Sequence, residues 1–161
     1  MIQEDGLNFN EWVDNLHIDI KSDSLWKVEA YRLALFASEI GWFDVTELMN
    51  DKRTLGIADQ LYRSLGSMSA NIAEGYSHHT GKSRAQYYQY ALGSAREARD
   101  WYYKSHHILK STVVNHRISF TTQIVKLLLV MVPQQRGKKL SLQEEQAEYN
   151  TVDLFNNIPF N

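Results

Sequence analysis

The 161 residues include no cysteine, which excludes disulfides and thiolate metal sites outright. Proline is almost as scarce. Both copies, Pro133 and Pro159, lie late in the chain. A proline-free stretch of this length favours long helices, because an interior proline costs a helix ~3 kcal/mol or more. Hairpin signals are missing too: Asn-Gly does not occur, Asp5-Gly6 is not set between two alternating runs, and no segment keeps up an apolar–polar alternation. Long apolar runs are absent. The richest, from Ile124 to Val132, is broken by Lys126 and is far too short to span a bilayer. The start of the chain is acidic and does not read as a signal peptide. These absences point to an all-helical protein of the cytoplasm, with no membrane partner.

A hydrophobic content of 43% is enough to build a core, and the length suits one domain. The net charge of −2 is unevenly spread. Residues 1–23 carry six acids against Lys21 and residues 137–161 carry four acids against two lysines, leaving 24–136 with a net charge of +5. A basic body between acidic ends is compatible with a polyanion as partner, although ordinary surface charge gives the same count. The charge shifts suggest three parts: an acidic extension over 1–23, a helical body over 24–136 and a flexible tail over 137–161.

Periodicity places four helices in the body. The first starts at Ser24 and reaches about Met49. The second covers about 51–76; Ile57, Leu61, Leu65, Met68 and Ile72 fall within ~80° of arc and form a core stripe. Gly66, Ser69, Ala70 and Ala73 lie almost opposite and suit close approach by another helix. The third runs from Ser83, as N-cap, to about Lys110, with Tyr87, Tyr90, Ala91, Ala95, Ala98 and Tyr102 on its inner face. The fourth runs from about Val114 and is closed by Pro133. With short turns, these four pack most simply as an antiparallel up-down-up-down bundle. Phe9, Trp12, Val13 and Leu16 have helical spacing and predict a short additional helix. The apolar cluster Leu154, Phe155, Ile158 and Phe160 either docks on the bundle or awaits a partner.

Catalytic signatures are lacking. Gly75 to Ser83 contains Gly81-Lys82-Ser83, but five residues separate its glycines where a P-loop has four, and a helix precedes it where a P-loop has a strand. His78-His79 and His106-His107 are adjacent pairs, and neighbours on a helix point ~100° apart, so neither is a natural chelate. No nucleophile elbow or zinc-binding helix occurs. The reading is a non-enzyme without metal, cofactor or small-molecule substrate. One polar set stands out. Asn71 and Glu74 on the second helix, with Ser94 and Glu97 on the third, predict a hydrogen-bonded network between helices.

The same residues carry a family resemblance. Ser69-Ala-Asn-Ile-Ala-Glu-Gly75, followed by Leu92-Gly-Ser-Ala-Arg-Glu97 and preceded by Asp59-Gln-Leu-Tyr-Arg63, resembles the paired motif of a bacterial four-helix-bundle family. That family includes proteins encoded by intervening sequences in 23S ribosomal RNA genes. It is also similar to accessory proteins of diversity-generating retroelements, which bind a reverse transcriptase. The resemblance covers about residues 24–132 and implies a ring-shaped homo-oligomer, a pentamer. The leading reading is a non-enzymatic adaptor that binds RNA, DNA or a nucleic-acid enzyme such as a reverse transcriptase through the basic faces of the second and third helices, with Arg63, Arg84, Arg96, Arg99 and Lys104 as the expected phosphate contacts. Retroelement accessory proteins are strongly basic, and this chain departs from them with a pI of about 6.3. The alternative is a structural homo-oligomeric hub that binds protein and no nucleic acid.

Overall fold

A computed structural model describes residues 7–137 and 151–161. Residues 1–6 of the acidic extension and 138–150 of the expected tail, including Glu144 and Glu145, lie outside the described residues. The described chain is all-helical: α1 (Phe9–Asn15), α2 (Ile18–Ser22), α3 (Glu29–Leu48), α4 (Leu55–Ser77), α5 (Gly81–Lys104), α6 (Ser111–Gln134) and α7 (Thr151–Asn156). Among the described residues no helix is long and apolar enough to cross a membrane.

The helix boundaries follow local capping chemistry. Ser24 does not start α3; Asp23 accepts from Leu25 N–H at 2.8 Å and opens a 3-10 turn, Ser24–Lys27, before α3 begins. Thr80, not Ser83, caps α5, accepting from Ser83 N–H at 3.2 Å. Buried Thr54 donates to Leu48 O at 2.6 Å and fixes the turn between α3 and α4. Pro133 lies inside the last turn of α6 rather than ending it. Only the bond from position 133 is forfeited there, and Gln135 N–H still reaches Met131 O at 3.2 Å.

The four long helices close a circuit: α3 packs on α4, α4 on α5, α5 on α6 and, more thinly, α6 on α3. Leu61, Leu65, Met68 and Ile72 of the predicted stripe are fully buried, while Ile57 is half-buried at its edge. The inner face of α5 is rotated from the one predicted, so that Ala85 and Tyr88 are buried while Tyr90 is exposed. Close approach explains one motif glycine. A Cβ on Gly75 would stand 2.9 Å from both Tyr87 Cβ and a Tyr88 ring carbon, so α4 and α5 could not meet there around a larger residue.

The thin α3–α6 seam is covered by both ends of the chain. Phe9 and Trp12 of α1 stack against Phe36 at centroid distances of 5.2 and 5.0 Å. Phe155 of α7 meets Phe9 and Phe120 at 5.6 and 5.8 Å. Residues 154–161 therefore dock on the body, one of the two alternatives open for that apolar cluster, and this end of the expected flexible tail is packed. The physical reason is the seam itself, which leaves Phe36 and Phe120 to be covered.

Candidate nucleic-acid interface

The five predicted phosphate contacts do not share one surface. Arg63 is exposed on α4 and pairs with Asp59 at 3.2 Å. Lys104 pairs with Asp100 and lies over the Trp101 ring at 4.2 Å. Arg84 turns back and donates to His78 O at 2.8 Å, where it satisfies the end of α4. Two of the five are thus locally neutralised, and a third serves the fold. The i, i+4 spacing of Arg63 with Asp59 and of Lys104 with Asp100 was the available signal.

Arg96 and Arg99 do share a face, along the groove between α5 and α6. Arg99 Nη1 donates to Thr122 Oγ1 at 3.3 Å, and Arg136 Nη2 donates to Gln89 Oε1 at 3.0 Å. Numbers rise along α5 as they fall along α6, so Arg96 comes to lie between these two rungs, whereas Lys126 lines a cleft on the α3 side of α6 with Val28 and Glu29. Arg96, Arg99 and Arg136 form a strip of cations. Helix α6 contributes no Asp or Glu to it, and the acid of α5 nearest Arg99, Asp100, is engaged by Lys104. Such a strip can follow a polyanion without reading its sequence, because each guanidinium or ammonium neutralises one phosphate. Sequence reasoning missed Arg136 because nothing local sets the end of α6 in register with α5.

The expected network of Asn71, Glu74, Ser94 and Glu97 does not form. Asn71 bonds to Ser67 O and Oγ at 2.8 and 3.0 Å. Ser94 donates to Tyr90 O, and Glu97 accepts from Trp101 Nε1. Glu74 alone reaches across, to the Tyr87 hydroxyl, whose pKa that hydrogen bond raises. Helical phase predicted a common face, but Asn71, Ser94 and Glu97 each find a partner one turn away.

The buried polar cluster is elsewhere. Asp44 (α3), Tyr102 (α5) and Arg117 (α6) are each at most 2% exposed. Arg117 donates to Asp44 through Nε at 2.7 Å and Nη2 at 3.0 Å, and Tyr102 donates to Asp44 Oδ2 at 2.9 Å. Burial raises the Tyr102 pKa well above its ordinary value, and the Asp44 carboxylate adds to that. Burial works against the charge of Arg117, but Asp44 outweighs it and keeps the guanidinium ionised. Arg117 also donates to Pro159 O at 3.0 Å and lies over the Phe160 ring at 5.4 Å. His116 Nδ1 faces Arg117 Nη1 at 2.9 Å, so that nitrogen accepts, while its Nε2–H reaches Leu154 O at 3.0 Å. The cluster joins three helices to the docked C-terminal end. Its three side chains are sealed from solvent, and it has the form of a fold-specifying network.

Comparison with known proteins follows this division between body and ends. A family model described as 23S rRNA-intervening sequence protein matches residues 28–130, leaving α1, α2 and α7 outside the match. A solved structure from Bacteroides thetaiotaomicron, described as a protein with unknown function from the S23 ribosomal protein family, is similar with a TM-score of 0.58. It is 21% identical, and the alignment covers 64% of this chain and 97% of that one. Among curated proteins no match is found.

Proposed function

The chain belongs to the 23S rRNA-intervening sequence protein family, and on that premise we propose that it is a non-enzymatic oligomeric adaptor that holds nucleic acid along the α5–α6 groove. The observation that carries this reading is the strip of Arg96, Arg99 and Arg136, to which α6 adds no carboxylate. RNA is the first choice of ligand, and DNA or an enzyme that works on either, such as a reverse transcriptase, completes the assembly. The body is an up-down-up-down four-helix bundle of the cytoplasm, a reading supported by the helix circuit and by the opposed numbering of α5 and α6. A ring of five copies is the assembly suggested by the family resemblance, and light scattering at micromolar concentration tests it.

Binding through three cations gives a defined salt response. Each neutralised phosphate contributes about −0.9 to the slope of log K against log salt on duplex and about −0.7 on single strands, so three give about −2 to −3. The direct experiment is titration of labelled RNA and DNA with the full chain at ~50 mM salt, where electrostatic binding is strong. Measurable binding that weakens steeply with salt is the expected result. No detectable binding to either polymer removes this reading. The rival, a protein-interaction hub using a free apolar tail, loses its main element because Leu154 is buried and Phe155 and Phe160 pack on the body.

A further inference from the structure

Tyr103, at the C-terminal end of α5, is 63% exposed and is the most open of the described tyrosines, tryptophans and phenylalanines. Other tyrosines of this helix are held by the fold. Tyr102 donates to Asp44, Tyr87 meets Glu74, and the Tyr90 hydroxyl accepts from Gln86 Nε2 at 2.7 Å. Tyr103 turns outward instead. Its ring meets that of His106 at a centroid distance of 5.4 Å, and His106 meets His107 at 3.9 Å. Both histidines are exposed.

Helical spacing puts this ring on the cationic strip. Tyr103 lies four residues beyond Arg99 and seven beyond Arg96, so the three fall within about 60° of arc, with the ring ~6 Å and ~10 Å further along the axis. Arg99 is fixed by its bond to Thr122 Oγ1 at 3.3 Å, which turns this side of α5 to the α5–α6 groove. The order along the groove is therefore Arg136, Arg96, Arg99 and Tyr103, followed by the two histidines. Helix α5 has two acids, and α6 has none. Asp100, beside the ring, is paired with Lys104, and Glu97 accepts from Trp101 Nε1 at 3.2 Å.

Guanidinium groups neutralise phosphates, but an uncharged ring in line with them recognises something else. In a duplex the faces of the bases are stacked on one another, and a side chain reaches them only by opening a step. In a single strand the faces are free, and a base laid on an aromatic ring adds stacking to the phosphate contacts. We infer that the α5–α6 groove takes single-stranded nucleic acid, with phosphates on Arg96, Arg99 and Arg136 and an unpaired base stacked on the outer face of Tyr103. This rests on the adaptor reading and deepens it, because it selects one form of nucleic acid and names a contact that carries no charge.

The test titrates the full chain at ~50 mM salt against three labelled probes: an unstructured RNA of ~15 nucleotides, its duplex with the complementary strand, and an abasic strand with the same number of phosphates. The RNA strand binds more tightly than either of the others. Tyr103→Ala weakens binding of the RNA strand ~5-fold or more, as loss of a stacking ring does, and leaves the duplex and the abasic strand unchanged. Its salt slope equals that of wild type, because no cation is lost. Tyr103→Trp keeps the single-strand affinity. The ring is exposed, so both variants keep the core intact, which thermal unfolding checks. Duplex binding as tight as single-strand binding, or unchanged single-strand affinity in Tyr103→Ala, overturns the inference and leaves the cationic strip standing. An equal loss on the RNA and abasic strands also overturns it, since the ring then acts without a base. If no probe binds, the adaptor reading falls with it.

Discussion

Arg117 and Asp44, 73 residues apart in sequence, form a two-bonded ion pair in the middle of the molecule, with N···O distances of 2.7 and 3.0 Å. Tyr102 completes it from a third helix. Three of the four long helices thus meet at one carboxylate.

Removing that carboxylate leaves a guanidinium buried without its counter-charge. Asp44→Asn is expected to lower the unfolding free energy by about 3–5 kcal/mol, read from urea denaturation. Replacing both partners together, Asp44→Leu with Arg117→Met, should cost less than the single change, because no charge is left stranded. A double variant as unstable as the single one would contradict this account of the pair.

His116 gives the fold a pH dependence. Burial, with Arg117 beside it, lowers its pKa from 6.5 to about 4. The unfolded chain therefore binds a proton that the folded chain refuses between about pH 6.5 and pH 4. Stability from this group is complete above pH 6.5 and is lost as pH falls towards 4. A shift of this size corresponds to an upper limit of roughly 3 kcal/mol. Denaturation curves at pH 7 and pH 4.5 on wild type and His116→Gln separate this contribution from general acid effects. The variant should show the smaller change.

The docked C-terminal end covers that histidine. Deleting residues 151–161 removes the Leu154 carbonyl, buried Leu154 and the contacts of Phe155 and Phe160. Loss of one buried leucine alone is worth about 2 kcal/mol. The expected signature is a His116 pKa that returns towards its ordinary value, followed by NMR titration. A pKa that stays near 4 in the truncated chain would show that α7 and the end do not shield it.

The glycines separate by environment. Gly75→Ala drives a methyl into Tyr87 and Tyr88 and should destabilise by about 1–3 kcal/mol. Gly93→Ala lies on an exposed turn of α5 with no atom within 4 Å of the added carbon. There the change should stabilise by about 0.5–1 kcal/mol through helix propensity alone. Thermal unfolding of the pair shows whether the opposite signs hold.

Much of this architecture is legible in the residues, and what is not has a physical cause. Leu61, Leu65, Met68 and Ile72 announce a buried stripe because helical periodicity is local. Asn71, Glu74, Ser94 and Glu97 share a polar phase, but phase does not tell whether a side chain crosses to the next helix or bonds one turn back. Asp44 and Arg117 could have been noticed as charges at buried positions, between Phe43 and Val45 and between His116 and Ile118. Their pairing is set by the packing of α3 against α6, which no spacing encodes. The cationic strip has the same origin: Arg99 and Arg136 are joined only by the register of α5 and α6.

The central claim is that this strip carries nucleic acid. Its most direct test is the salt dependence of RNA binding by the full chain, compared with Arg96→Ala and with Arg63→Ala as a control from outside the strip. Wild type should give a slope of about −2 to −3, the Arg96 variant a slope shallower by about one contact, and the Arg63 variant no change. Binding that is absent at ~50 mM salt, or equally affected by the Arg63 and Arg96 changes, would contradict it.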